Sequence, residues 1–233
     1  MIATRMHYSP ILIAALWAHS NATFASDDYH PVIDPAEFQT TVDNPYFPLL
    51  AGTVNTFVEK DGAKTAENTV EVTSDTKLIA GVRCVVVHDT VKQGDALLED
   101  TYDWYAQAKD GTVWYFGEDT TEFKPGGGAS KAGSWQAGVD GAQPGIVMPA
   151  HPAPGQPYRQ EYLAGKAEDM GQVVAVGAAT TVPAGTYTDV VKTKEWSMLE
   201  SGTESKWYAR GVGFVREEAT DGTVTTLVST SNK

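Results

Sequence analysis

Residues 97–123, LLEDTYDWYAQAKDGTVWYFGEDTTEF, restrict the fold more than any other stretch of the chain. Two aromatic runs, YDWYA and VWYF, flank the turn Lys109-Asp110-Gly111-Thr112, and carboxylates sit at both outer ends. Tyr, Trp, Phe and Thr suit a pleated, half-buried surface. Asp-Gly between two such runs is a strong short-range hairpin signal. A chain built around this hairpin needs further strands to cover its apolar face.

Those strands are legible. Stretches with strand character cover 53–60, 68–78, 82–92, 96–107 and 113–123, then 158–163, 168–177, 186–199, 203–210, 213–218 and 223–230. Turn dipeptides fall between them at Asp61-Gly62, Gln93-Gly94, Asp110-Gly111, Ser201-Gly202 and Asp221-Gly222. Short connections make the strands antiparallel, and no long helical pattern competes with them. Ahead of them, Asp34 caps one helical turn, and Tyr46, Phe47 and Leu49 of DNPYFPL are expected to lie over one end of the core. The Gly- and Pro-rich stretch 125–157 reads as an irregular connection, with strand character only at 134–137.

The halves echo each other. VRCVVVHDTV followed by DWYAQ and VWYFGE matches VPAGTYTDVVKTKEW followed by SKWYARGVGFVREE. Trp104-Tyr105-Ala106-Gln107 and Trp207-Tyr208-Ala209-Arg210 occupy matching places. The expected fold is therefore all-β: one large antiparallel curved sheet, a barrel or half-barrel, from a doubled strand meander.

The first 25 residues carry Arg5, a short apolar run at 11–18 and small residues before Ser26, the pattern of a cleaved secretory signal peptide. The apolar run is too short to span a bilayer. Residues 26–233 then form a single domain, secreted or periplasmic, with 16 basic against 30 acidic residues and a net charge of −14. Such a surface repels nucleic acid, and no transmembrane segment is expected in the mature chain. The single Cys84, inside VRCVVV, reads as a small buried residue, so no internal disulfide is expected.

Strand alternation places the candidate chemistry. If Val91 faces Ala96 around Gln93-Gly94, then His88 faces Glu99, and His88, Glu99, Thr101, Asp103 and Tyr105 share one face. Val85, Val87, Tyr102 and Trp104 share the other, the expected core face. A two-residue loop at Asp110-Gly111 sets Asp103 opposite Glu118, whereas a three-residue loop sends Glu118 to the other face. The resulting cluster, His88, Glu99, Asp103 and Glu118, suits acid–base catalysis or a divalent cation. The competing reading is a solvated acidic face with a weak His–Glu pair. Trp104, Tyr105, Trp114, Phe116 and Trp207 are candidates to line a cavity for a small hydrophobic or amphipathic ligand. No HExxH sequence, phosphate-binding Gly loop, Cys/His metal spacing or nucleophile elbow occurs. No cofactor is expected.

The segments NPYFPL, EDTYDWYAQ, VWYFGE, GSW, AGVDGAQPGIVMPA and RQEY resemble those of a family of uncharacterised secreted bacterial proteins, over nearly all of the mature chain. The closing pattern VPAGTYTDV with WYARGVGFV is similar to a motif of bacterial envelope proteins built as curved sheets or half-barrels, some of which carry lipids. The resemblance implies fold and compartment and assigns no reaction. The leading expectation is a binding protein for a lipid or other amphipathic molecule, and the alternative is the acid–base or metal-assisted enzyme.

Overall fold

A computed structural model of the chain describes residues 29–124 and 126–232; the signal peptide expected over 1–25 lies outside the described residues. Asp34 opens the structure as expected, accepting a hydrogen bond from the Ala36 amide (2.9 Å) to cap a single 3-10 turn, Pro35–Glu37. Strand β1 (Phe38–Gln39) follows, then five long strands: β2 (Thr53–Asp61), β3 (Lys64–Ile79), β4 (Val82–Gln93), β5 (Ala96–Ala108) and β6 (Val113–Phe123). Next come β7 (Ala129–Ser130), β8 (Trp135–Gln136), β9 (Gln143–Met148), β10 (Tyr158–Arg159) and β11 (Glu161–Tyr162). The second long set is β12 (Asp169–Val182), β13 (Gly185–Ser197), β14 (Glu204–Ala209), β15 (Gly213–Ala219) and β16 (Val224–Asn232).

The strands form one antiparallel sheet whose main path runs β10-β12-β13-β14-β15-β16-β2-β3-β4-β5-β6-β9-β11. Its two ends, β10 and β11, are separated in sequence by Gln160 alone, so the sheet curls round until its edges meet as a nearly closed barrel. Closure hides sheet edges that would otherwise pair with other chains. The seam is tight. A side chain at Gly145 on β9 would lie 2.2 Å from the Gln160 carbonyl carbon, so only glycine lets the two backbones approach this closely.

Two meanders, β2–β6 and β12–β16, join through β16 and β2, so the doubled pattern read from the sequence is the architecture. The copies match in detail. Trp104 on β5 and Trp207 on β14 both lie on the outer face beneath cations, Lys77 (3.1 Å from the ring centre) and Lys192 (4.4 Å). Tyr105 and Tyr208 point inward and meet the same ring, Phe47, at centroid distances of 5.3 and 6.2 Å. Phe47 thus plugs the barrel end that DNPYFPL was expected to cover. The plug is held by Gln107, whose side-chain oxygen accepts from the Asp43 and Asn44 amides (both 2.8 Å). Tyr46 donates to Asp189 (2.9 Å), tying the same segment to β13.

Two boundaries differ from the sequence reading. Stretch 125–157 is not a bare connection, since β7, β8 and β9 all pair with β6. Gly and Pro inside β9 mask it as a strand. The single strand expected at 158–163 splits at Gln160, one half pairing with β12 and the other with β9.

Candidate functional site

The hairpin β5–β6 sets the geometry of the barrel interior. Ala108 and Thr112 close a three-residue loop (N–H to O, 2.8 Å), and near the turn Gln107 pairs with Val113 and Tyr105 with Tyr115. By itself that loop would turn Glu118 outward. A β-bulge follows, and beyond it Asp103 faces Glu118 directly. Gly117 allows the bulge: its φ of 127° lies in the left-handed region, and a Cβ there would meet the Trp135 carbonyl oxygen at 2.3 Å.

Glu99, Thr101, Asp103, Tyr105 and Gln107 are all buried on the inner face of β5, and Glu118 and Thr120 join them from β6. The Thr101 hydroxyl donates to Glu99 (2.9 Å) and lies 2.6 Å from that of Thr120. Tyr115 donates to Asp103 at 2.6 Å. Asp89 enters from β4, 3 % exposed, with its Oδ1 lacking a hydrogen-bond partner among the described residues. Glu118 Oε2 is in the same position.

Burial dominates the electrostatics here, because removing a carboxylate from water favours its neutral form. Burial, opposed in part by the Thr101 hydrogen bond and reinforced by Asp103, raises Glu99 to about 8. It lifts Asp89 well above the usual range, with Asp103 and Glu99 adding like-charge repulsion. Glu118 rises for the same reason, next to Asp103 and Glu161. The wall here is therefore acidic by composition, and burial favours the neutral forms of Glu99, Asp89 and Glu118.

His88 does not join these groups. It pairs with Tyr102 instead of Glu99 and lies on the outer face, stacked on the Tyr102 ring (4.4 Å, 5° between planes) with Nε2 2.6 Å from Asp100. The physical reason is register. The β4–β5 turn pairs Gln93 with Ala96, and a further irregularity between Val91 and Lys92 puts Val91 opposite Glu99. Together these shift the pairing by an odd number of residues, which exchanges the two faces of β4. Asp89 takes the inward place that sequence reasoning gave to its neighbour. The face expected to form the apolar core, with Tyr102 and Trp104, is the outer one; the acidic face is the interior. The cluster that would hold a metal through His88 is accordingly not assembled, and no group of three or more His, Cys, Asp or Glu among the described residues is arranged to hold a metal ion.

The five candidate aromatics separate in the same way. Tyr105 is inside, stacked on Tyr115 at 4.9 Å. Trp114 and Phe116 are on the outer side of β6 against Phe38, at 6.5 and 5.6 Å. Trp104 and Trp207 lie under their cations. The five do not line one cavity.

The opposite wall carries a group that the sequence reading passed over. Lys206 on β14, 3 % exposed at its side chain, is 3.1 Å from Glu195, 3.3 Å from Glu204 and 3.4 Å from Glu217. Burial opposes its charge, yet the three carboxylates hold its pKa well above that of an ordinary lysine. Burial raises Glu217 to about 8 against the pull of Lys206, while the same ammonium and the Thr193 hydroxyl keep Glu195 below the usual range despite burial. Strand alternation through KTKEW and ESKWY carried this signal, but only with the β13–β14 register in hand.

Among the described residues, openings to the surface include a small cleft and a rim groove. A cleft of about 20 Å³, the size of one water, is lined by Glu99, Glu118, Thr120, Glu122, Glu161 and Lys166. A groove of about 530 Å³ lies at the rim, where Pro48 and Leu50 of the lead-in cross the ends of β13 and β16. Tyr187, Val212 and Val228 complete its apolar lining, and Thr53, Ser229 and Asn232 supply polar groups. Beside the groove β16 is irregular between Leu227 and Ser229, a break in its pairing with β2 that strand composition does not reveal. Neither a protein-family model, nor a curated protein, nor a solved structure matches the chain.

Proposed function

We propose that the protein is a secreted or periplasmic binding protein for an amphipathic small molecule, seated in the rim groove. The observation that carries this reading is the groove itself: about 530 Å³, lined by apolar side chains together with the polar groups of Thr53, Ser229, Thr230 and Asn232. That volume lies within the range of small-molecule sites, about 300–1,000 Å³. Leu50 stands 62 % exposed on its lip, an apolar side chain that a bound alkyl or ring system would cover. The reading keeps the ligand class expected from the sequence and moves its seat from the scattered tryptophans to the barrel rim. The expected resemblance to a family of uncharacterised secreted bacterial proteins and the signal peptide expected at 1–25 support the compartment.

Native mass spectrometry of protein exported by its own host, followed by titration with long-chain carboxylic acids and lysolipids, tests this. Saturable binding that Val212→Asp weakens tenfold or more supports it. Absence of saturable binding across both ligand sets, with no co-purified mass, overturns it.

A second reading, acid–base catalysis, draws on the opposed and buried pair Asp103 and Glu118. Asp103 is raised by burial to about 6, against the Tyr115 hydrogen bond, while burial and the charge of Asp103 push Glu118 well above the usual carboxylate range. Two carboxyls with separated pKa values suit an acid and a base. A panel of glycosides and esters tests it: turnover lost in both Asp103→Asn and Glu118→Gln supports the enzyme, and no turnover from pH 5 to 8 removes it.

A further inference from the structure

We propose that the cleft between β6 and β11 is a seat for the primary ammonium group of a small organic amine, taken up by Glu118 with Glu99, Glu161 and Thr120 around it. This site is separate from the rim groove, so either assignment can fail alone.

The acceptors come from three strands. Glu99 is on β5, Glu118 and Thr120 are on β6, and Glu161 is on β11, and all four are buried. Glu118 is 8 % exposed, lines the cleft, and keeps Oε2 without a hydrogen-bond partner among the described residues. A buried acceptor without a donor is destabilising, more so when charged, and a donor seated in the cleft removes that cost. The cleft, at about 20 Å³, holds one water-sized group and opens to the surface beside Lys166.

The chemistry selects an ammonium over a metal ion. Calcium takes about six to eight oxygens at about 2.3–2.6 Å, and no acidic trio among the described residues is arranged that way. An ammonium carries three donors and is satisfied by acceptors at about 2.7–3.0 Å, which suits a looser set of carboxylates and a hydroxyl.

Uptake exchanges a proton for a cation. The neutral Glu118 carboxyl releases its proton to solvent, the amine enters already protonated, and an ion pair forms inside the wall. The charged and titratable groups around the seat are Glu99, Asp103 and Tyr105 from β5 and Tyr115 and Glu122 from β6, with Asp89 on β4 and Glu59 on β2 acting on Tyr105 and Glu99 from further along the wall. Glu161 on β11 and Lys166 after it complete the set. Carboxyls outnumber cations there, and burial and mutual repulsion hold several of them neutral, so binding strengthens as pH rises.

Calorimetric titration of the full protein with n-butylamine hydrochloride at pH 6, 7 and 8, in buffers of different ionisation enthalpy, tests the proposal. The expected result is one site, with affinity rising severalfold to tenfold per pH unit and about one proton released. Glu118→Gln mimics the neutral acid, so the barrel stays folded while binding falls tenfold or more. Thr120→Val, nearly isosteric, weakens it about threefold. Absence of saturable heat at all three pH values overturns the proposal, as does unchanged binding in folded Glu118→Gln. Full competition by stoichiometric CaCl2 also overturns it, in favour of a metal site. Binding that appears only in Lys166→Gln assigns the cleft to the Lys166 ammonium and overturns it likewise.

Discussion

Asp103 and Glu118 face each other across β5 and β6 because a bulge at Gly117 offsets a turn one residue too long for that pairing. Gly117→Ala places a Cβ against the Trp135 carbonyl and forces a left-handed φ on a residue that resists it. The expected loss is about 2–3 kcal/mol of stability, measured by urea denaturation. The sharper readout is register: nuclear Overhauser contacts between the Asp103 and Glu118 strands shift by one residue if the bulge is expelled.

The acidic interior makes stability fall as pH rises. Burial raises Glu99 in the folded protein to about 8, from an ordinary value of 4.5. Its contribution is therefore complete below about pH 4.5 and disappears as pH climbs through about 8. Asp89 and Glu118 act in the same direction. Thermal denaturation is expected to show a higher Tm at pH 5 than at pH 8, and Glu118→Gln flattens that slope. A Tm that rises steadily from pH 5 to 8 contradicts the interior described here.

Lys206 neutralises one of the three carboxylates around it, so its removal strands buried charge. Lys206→Met is expected to cost about 3–5 kcal/mol at pH 8. The cost shrinks toward pH 5, where Glu195 and Glu217 take up protons in the variant. Parallel urea titrations at the two pH values check both the size and the sign.

Phe47 closes the barrel end against Tyr105 and Tyr208, 8 % exposed. Phe47→Ala removes the ring that both copies of the repeat share, for an expected loss of about 3–5 kcal/mol. Increased fluorescence of a hydrophobic dye at native pH would report the opened end. Phe47→Leu retains most of the bulk and recovers a large part of the stability.

Burial also silences Cys84, whose thiol is pushed up to about 12 despite the nearby Lys77. An aromatic disulfide reagent at pH 8 is expected to react with it only at the rate of unfolding, and rapidly in denaturant.

What was legible in the sequence follows from how each feature is encoded. Strand content, the Asp34 cap, the covering role of Phe47 and the matching places of the two Trp-Tyr-Ala segments rest on local composition and spacing, and all are found. Faces rest on register, which bulges change without any strong local mark. The shift near Val91 sent His88 outward, and the bulge at Gly117 kept Glu118 inward. The first undid an expected pairing; the second rescued another for a reason not visible in the turn. The Lys206 group depends on the register of the neighbouring strands β13, β14 and β15, and the rim groove on segments distant in sequence, so no spacing within one segment encodes either.

The junction of β2 with β16 has a consequence for how this chain reaches its folded state. Thr53 and Asn232, hydrogen-bonded at its edge, are 179 residues apart. Each meander can zip locally, but the ring stays open until the last strand finds the first, so the slowest search comes at the end. Until then β2 and β16 both present unpaired, strand-length edges, the surfaces on which chains stick to one another. Refolding yield should therefore drop with protein concentration more steeply than stability alone would dictate, and a covalent link between those two strands should restore it.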